Sequence, residues 1–453
     1  MWIRSCALAG VFLAPVAVAG PLEIEVDPSR TAQEIQGWGG SNSWFTDDYL
    51  DYTEETRRAF VDFLWADDGL GLNIHRGRVI RVGPDPTTGG PIDWKHEKLI
   101  EQAKFLKYVQ DLHDPIIFLS SWTPPPRMKT VDSNRGGKLR PDAYDDFADY
   151  LVEYITGMEE RFGVEIDVLS PQNEPDEEKP WSSCVWTGQE MAAFVGEHLG
   201  PAFEEHGIET KILVGEWTSW DDAFPNAVLE NAEAAKHVDL VGGHLYHNSH
   251  DKPKVFEEAV AADIPVWQTE FYLGNYRFPK GEAIDEHERT LWLGQIMHDS
   301  LVHSQVNAYL FWWLLSPEAK GPQGLLSSPM NFDERDKSQP LTEWVVTPRA
   351  YGFGQFSRFV RPGATRLELA DDQPAEGVFV SAFHHEGDGQ MSIVIVNRSQ
   401  ASHELALSLP AGFDGELEVV RTSRDEQMAT VREADVTIRA KSITTIVARQ
   451  TDR

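Results

Sequence analysis

Two glutamates occupy positions where a chain could place chemistry. Glu174 lies in SPQNEPD (170–176) and Glu270 in VWQTEFY (266–272), each where a short apolar run gives way to a loop. Asn173 directly precedes the first, and Pro175 follows it. Two carboxylates facing each other across a bond suit glycoside hydrolysis. One protonates the leaving oxygen while the other attacks the anomeric carbon or activates water. The acid must keep its proton near neutral pH while its partner stays ionised, and partial burial beside a negative charge pushes the acid's pKa up. A single Glu at a strand end is ordinarily a solvated or ion-paired carboxylate. Two such residues, one with an amide beside it, point to catalysis.

Other chemistries lack their signatures. No Ser or Cys nucleophile elbow is present, and no Cys/His spacing suits zinc. His244, His247 and His250 in HLYHNSH recur every three residues, but they follow an apolar run and read as a cleft loop rather than a metal site. No cofactor is expected. Asp176, Glu177 and Glu178 read as a solvated acidic loop.

The elements that must position these residues alternate along the chain. Short Val/Ile/Leu-rich runs occur at 72–80, 115–122, 166–173, 211–217, 238–246, 264–271 and 307–314, with the Gly-rich IQGWGGSNS (35–43) before them. Runs apolar on both faces are what buried parallel strands require. Helical patterns separate them. In PDAYDDFADYLVEYI, residues Tyr144, Phe147, Ala148, Leu151, Val152 and Ile155 share one face, after a Pro141-Asp142 start. KHEKLIEQAKFLKYVQDL and GQEMAAFVGEHLGPAF behave alike. Eight such units predict a (β/α)8 TIM barrel. A doubly wound sheet would carry a G-x-G-x-x-G loop, which GWGGS does not match.

A barrel carries its site at the C-terminal ends of its strands. Those ends offer Trp38 and Asn42, Arg76 and Arg78, Trp122, Asn173 and Glu174, Glu216 and Trp217, His244 and Tyr246, Glu270 and Tyr272, and Trp312 and Trp313. Glu174 and Glu270, on the fourth and seventh strands, face each other over the mouth.

Beyond residue 361 the pattern changes to short alternating runs between Gly, Asp, Asn and Ser turns, as in HELALSLP, where Leu405, Leu407 and Leu409 point one way. This predicts an attached antiparallel β-sandwich. PLEIEVDPS (21–29) alternates too and is expected to add a strand to it. The division is therefore 36–361 for the barrel and 20–35 plus 362–453 for the sandwich. MWIRSCALAGVFLAPVAVAG reads as a signal peptide, 1–19, cleaved after Ala19. Secretion follows, with no membrane association after cleavage. Cys6 leaves with the leader, so Cys184 has no disulfide partner.

The net charge of −33 excludes nucleic acid and anionic lipid as partners, since both need basic surface. Fifteen Trp supply candidate platforms for sugar rings. A monomer acting on a polysaccharide or oligosaccharide is expected.

IQGWGGSNSW, SSWTPPPRMK, SPQNEPD, GGHLY, VWQTEFY and GFGQFSRFVRPG, in this order, resemble glycoside hydrolase family 30, of the clan A retaining glycosidases. The resemblance spans nearly all the chain after the leader, and the xylanase branch is the most similar. It implies a secreted retaining glycoside hydrolase that cleaves β-1,4-xylan, with Glu174 as acid/base and Glu270 as nucleophile. Asn173 would bond the sugar 2-hydroxyl, and Arg76 would keep Glu270 ionised. Trp38, Asn42, Trp122, His244, Tyr246, Tyr272 and Trp312 would line the substrate site. A β-1,6-glucanase or galactanase, a β-glucosidase- or β-xylosidase-like enzyme, and a non-catalytic carbohydrate-binding protein are the alternatives. One departure stands out. Glucuronoxylanases of the family carry arginines after the eighth strand that grip a glucuronate branch, whereas Leu315 and Ser316 stand here. Arg78 or Arg81 offers a substitute cation, although pairing with local acids is the simpler expectation.

Overall fold

The computed structural model describes residues 18–44, 47–84, 90–275, 284–317, 323–328, 340–432 and 437–451. The expected leader lies outside these residues except for Val18 and Ala19.

Eight parallel strands close into a barrel. They are β1 (Gly37–Ser41), β2 (Ile74–Arg78), β3 (Ile116–Ser120), β4 (Val168–Ser170), β5 (Lys211–Trp217), β6 (Leu240–His244), β7 (Val266–Glu270) and β8 (Ala308–Trp312). β8 returns to pair in parallel with β1, so the sheet has no free edge. Each strand matches one of the apolar runs. The lower lumen is filled by Ile74, Phe118, Val168, Leu213, Leu240, Trp267, Ala308 and Leu310, all buried.

Helices cover the outside. The helix Tyr144–Phe162 buries the predicted face and ends at Gly163, whose φ of 66° suits a residue without Cβ. The pattern predicted as one helix over 188–203 is broken by a π-helical turn, Val195–Leu199. Gly196 and Gly200 bound that turn where Ala234 and His237 press close.

The second layer is a seven-stranded antiparallel sheet holding Val378–His385, Gln390–Asn397 and Ser442–Arg449 at its centre. Thr31–Glu34 joins its edge. A three-stranded sheet faces it, and there Val18–Glu25 pairs with Ser402–Ser408. That pairing is parallel. The sandwich seats on the barrel through the helices Glu286–Val302 and Pro348–Ser357, where Gly294 and Gly352 let Ile443 approach.

Candidate active site

Strand alternation carries β2, β3, β4, β6 and β8 from the apolar plug to the layer above it. Ile74 is followed two residues later by Arg76, Phe118 by Ser120, Val168 by Ser170, and Leu310 by Trp312. The two remaining inward carboxylates break this count. Leu213 and Glu216 are three residues apart, as are Trp267 and Glu270. β5 slips by one residue between Gly215 and Trp217, and β7 slips opposite Gly243 and His244. Such bulges re-aim a side chain. Gly215 has φ 115° and Glu216 φ 50°, so the slip is written into the backbone. Glu174 also has a left-handed φ of 48°, and its N–H donates to the Glu216 carbonyl at 3.0 Å.

Arg76 is fully buried and organises the floor. Its Nη1 donates to Glu270 Oε2 at 2.6 Å and its Nη2 to Asn173 Oδ1 at 2.6 Å. Nη2 also lies 2.8 Å from Glu216 Oε1, and Nε donates to Ser120 Oγ at 3.2 Å. The guanidinium sits 5.0 Å from the Trp122 ring centre and 5.8 Å from that of Trp312. The Tyr246 hydroxyl donates to the other Glu270 oxygen at 2.9 Å. His244 stands between all three carboxylates, with Nδ1 3.5 Å from Glu174 Oε1 and Nε2 3.7 Å from Glu216 Oε1 and 4.0 Å from Glu270 Oε2. One oxygen of Glu174, one of Glu270 and a ring nitrogen of His244 lie within 4.8 Å of one another.

The charges follow from this crowding. Burial opposes the charged form of His244, but Glu270, Glu174 and Glu216 outweigh it and lift its pKa to about 9. Glu174, His244 and Glu270 have the types of a metal-ligand set, but the Arg76 guanidinium, 2.6 Å from Glu270 and 2.8 Å from Glu216, already supplies a cation there. Burial pushes Glu216 up, but Arg76 and His244 hold it at about 2. Glu270 is raised, by burial first and then by the Glu174 charge, against the pull of His244 and Arg76. Burial also pushes Glu174 up, yet His244, Lys179 and Arg76 bring it below its ordinary value. These directions are the reverse of those expected from the sequence, because His244 and Lys179 both stand on Glu174. With their oxygens within 4.8 Å of each other, the two groups titrate as a pair.

The cleft above has a volume of ≈ 640 Å³ and is walled by Trp44, Trp122, Trp181, Tyr246, Tyr272, Trp312 and Trp313. Of the residues expected at the site, Glu174, Glu270, Asn173, Trp122, Tyr246, Tyr272 and Trp312 line it, and Arg76 and His244 lie directly beneath. Trp38 and Asn42 do not. Trp38 is the second residue of β1 and points outward, where its indole N–H donates to the Val360 carbonyl at 2.6 Å against Phe353 and Phe356. Asn42 is buried and accepts from the Leu315 N–H at 3.1 Å, bracing the chain after β8.

Lys179 and Trp181 enter the cleft from the loop after β4, and neither lay at a strand end where the sequence would have exposed it. Lys179 Nζ lies 3.6 Å from Glu174 Oε2 and 2.7 Å from Glu177 Oε2. Trp44, also missed, stood in the IQGWGGSNSW stretch. The acidic run is not simply solvated. Asp176 accepts from the N–H and hydroxyl of Thr218, and Glu178 accepts from the Gly137 N–H. Leu315 and Ser316 are wholly buried, so neither reaches a ligand. Arg78 stacks 4.1 Å from the Trp44 ring centre, and Arg81 makes no ion pair with a described residue. His247 is exposed while His250 is buried against Phe271, and the three histidines form no ligand set among the described residues.

The profile of the glycosyl hydrolase family 30 TIM-barrel domain matches residues 92–277, and that of the family 30 beta sandwich domain matches 363–446. Together they cover more than half of the chain. Glucuronoxylanase XynC of Bacillus subtilis is 25% identical over 463 residues, spanning 99% of this chain and 96% of that protein. Lysosomal acid glucosylceramidase of Mus musculus is 23% identical over 437 residues, spanning 86% of this chain and 80% of that protein. The solved structure of a family 30 subfamily 8 xylanase from Clostridium acetobutylicum superimposes with a TM-score of 0.75 at 25% identity, over 94% of this chain and 99% of that one.

Proposed function

We propose, from the premise that the chain belongs to glycosyl hydrolase family 30, that it cleaves β-1,4-xylan with retention of anomeric configuration. It would act as a secreted monomer, with the barrel at 36–361 carrying the site and the sandwich bracing it. The observation that carries this reading is the approach of Glu174 and Glu270 to within 4.8 Å. A retaining pair stands about 5–5.5 Å apart, whereas an inverting pair needs about 6.5–9.5 Å to admit water.

Glu270 attacks the anomeric carbon as the glycosidic oxygen takes the Glu174 proton and the leaving chain departs. Water then gives its proton to Glu174 and displaces Glu270, restoring both groups. Arg76 and Tyr246 occupy both Glu270 oxygens as donors, which favours its ionised form. Substrate selects the protonation state of the pair in which Glu174 holds the proton, because only that state can release the leaving group. With Asn173 Oδ1 held by Arg76, its amide nitrogen is left to donate to the sugar 2-hydroxyl. The aromatic walls stack on sugar faces.

Following products by NMR tests this. Linear xylan is expected to yield xylo-oligosaccharides whose first-formed reducing end is the β-anomer. An α-anomer first, or action on a β-1,6-glucan and not on xylan, overturns it. The similarity to a glucosylceramidase favours a β-glucosidase-like activity as the second reading, and hydrolysis of an aryl β-glucoside faster than of the aryl β-xyloside would support that instead.

A further inference from the structure

Two-carboxylate chemistry has no use for a third buried carboxylate, yet Glu216 is fully buried beneath the pair. Burying a charge is costly unless it is paired. Glu216 is set there by a bulge and two residues in unusual backbone conformations, Gly215 and Glu216 itself. A side chain kept at such cost has a task.

Its surroundings show what that task is. The single atom Glu216 Oε1 meets Arg76 Nη2 at 2.8 Å and His244 Nε2 at 3.7 Å. Arg76 continues to Glu270 and Asn173, and His244 continues to Glu174. One carboxylate therefore anchors both halves of the site. The main chain repeats the link, since the Glu216 carbonyl takes the Glu174 N–H. We propose that Glu216 is a positioning residue that fixes Arg76 against Glu270 and supplies the standing negative charge beside His244, whose Nδ1 faces Glu174 at 3.5 Å.

The physical consequence lies in the general acid. When Glu174 gives up its proton, a carboxylate forms on a buried side chain. An imidazolium at 3.5 Å stabilises that charge as it develops. His244 holds its own proton only if anions surround it. The groups that face it are Glu174, Glu216 and Glu270, with Arg76 as the opposing cation and Tyr246 stacked edge-on at 5.9 Å. Glu174 and Glu270 change charge during turnover, so Glu216 is the anion whose charge stays constant through the cycle. The contacts of Glu216 with Arg76 and of the imidazole with its three carboxylates are ion-pair distances rather than closed hydrogen bonds, and catalytic contacts commonly tighten only with substrate bound.

The inference rests on the catalytic roles given to Glu174 and Glu270, and its test separates the two. Imidazole titration of His244 is followed by nitrogen-edited NMR in the full-length protein without substrate, alongside kinetics. The wild-type ring is expected to stay protonated through pH 7. In Glu216→Gln, the His244 midpoint is expected to drop by at least one pH unit, and kcat to fall about 10- to 100-fold with KM changed less than threefold. Glu216→Asp, which keeps the charge, should restore the titration and part of kcat. A wild-type His244 that is neutral at pH 7 overturns the proposal, and this result needs no variant to fold. So does a Glu216→Gln protein with lowered stability but unchanged His244 titration and kcat, which would mark a purely structural role. If Glu270→Gln were fully active, the catalytic assignment would fail while the His244 titration still reported on Glu216.

Discussion

The barrel lumen holds two layers built on the same strands, and they could hardly differ more. The lower layer is apolar from wall to wall, with Phe118 and Trp267 edge to face at 6.1 Å. The layer immediately above places Arg76, Glu216, His244 and Glu270 in contact, all buried. The lower layer gains stability with each side chain, about 1.5–3 kcal/mol for fully burying a large apolar residue. The upper layer desolvates charges, takes left-handed backbone at Glu174 and Glu216, and interrupts two strand registers. The difference teaches that the plug supplies the rigidity that lets the upper layer keep like charges close together.

The contrast is broken most severely by Glu270→Gln. The expected outcome is a loss of kcat of about 10⁴-fold or more, with the fold intact by circular dichroism because Arg76 keeps Glu216 as a partner. Turnover within tenfold of wild type would remove Glu270 from the chemistry. Glu174→Ala comes next, at about 10²–10⁴-fold on xylan. The defect should shrink sharply on an aryl xyloside whose leaving group needs no proton, and an equal loss on both substrates would count against the acid role. The lower layer answers in the opposite currency. Leu240→Ala is expected to cost about 2–5 kcal/mol by denaturant unfolding, while kcat per folded molecule stays close to wild type.

Two histidines sharpen the comparison through pH. His75, on β2, points outward between Trp65 and Phe105, and burial alone holds its pKa down at about 3. His244, on β6, points inward and is lifted to about 9. An ordinary histidine titrates near 6.5. The unfolded chain binds a proton at position 75 more readily than the fold does, so His75 makes stability fall as pH drops from 6.5 toward 3. The fold binds the His244 proton more tightly than the unfolded chain does. Its contribution is complete below pH 6.5 and disappears as pH rises through 9. Stability is thus expected to peak near pH 6–7. Replacing His244 by Asn should flatten the alkaline side of that profile and also alter the acid side, because Glu216 and Glu174 lose a cation that holds their pKa values down.

Much of this was legible in the sequence because buried parallel strands are short, apolar and separated by amphipathic helices. Each of the eight runs became a strand, and Glu174 and Glu270 were visible at the ends of two of them. What stayed hidden depends on register. Trp38 looked like a residue at a strand mouth, but alternation turns it outward against Phe353. Glu216 stood among the strand-end residues without a role, since strict alternation from Leu213 sends it to the helix layer. Only the bulge at Gly215 brings it in, and the one signal for it was that glycine, since a Gly inside a strand often marks a bulge. Lys179, Trp181 and the bonds of Asp176 belong to a loop, whose path follows no period. The parallel pairing of Val18–Glu25 was hidden for a related reason, as alternation marks a strand without giving its direction.

The smallest expected effect lies at the rim, where the two-layer contrast fades into solvent. Trp181 is 45% exposed and hangs from the loop after β4 over the cleft, whereas Trp122 is packed beside Arg76 at its floor. An exposed aromatic platform is worth about 0.5–1.5 kcal/mol to a ring stacked on it. Trp181→Ala is therefore expected to raise KM for long xylo-oligosaccharides by about 2- to 12-fold at unchanged kcat. Its melting temperature should hardly move, because the side chain rests on little of the core. Substrates too short to reach beyond the reacting sugar should be cleaved as by wild type. A fall in kcat with short substrates instead would place Trp181 in the charged layer's work, and the boundary drawn here between floor and rim would have to move outward.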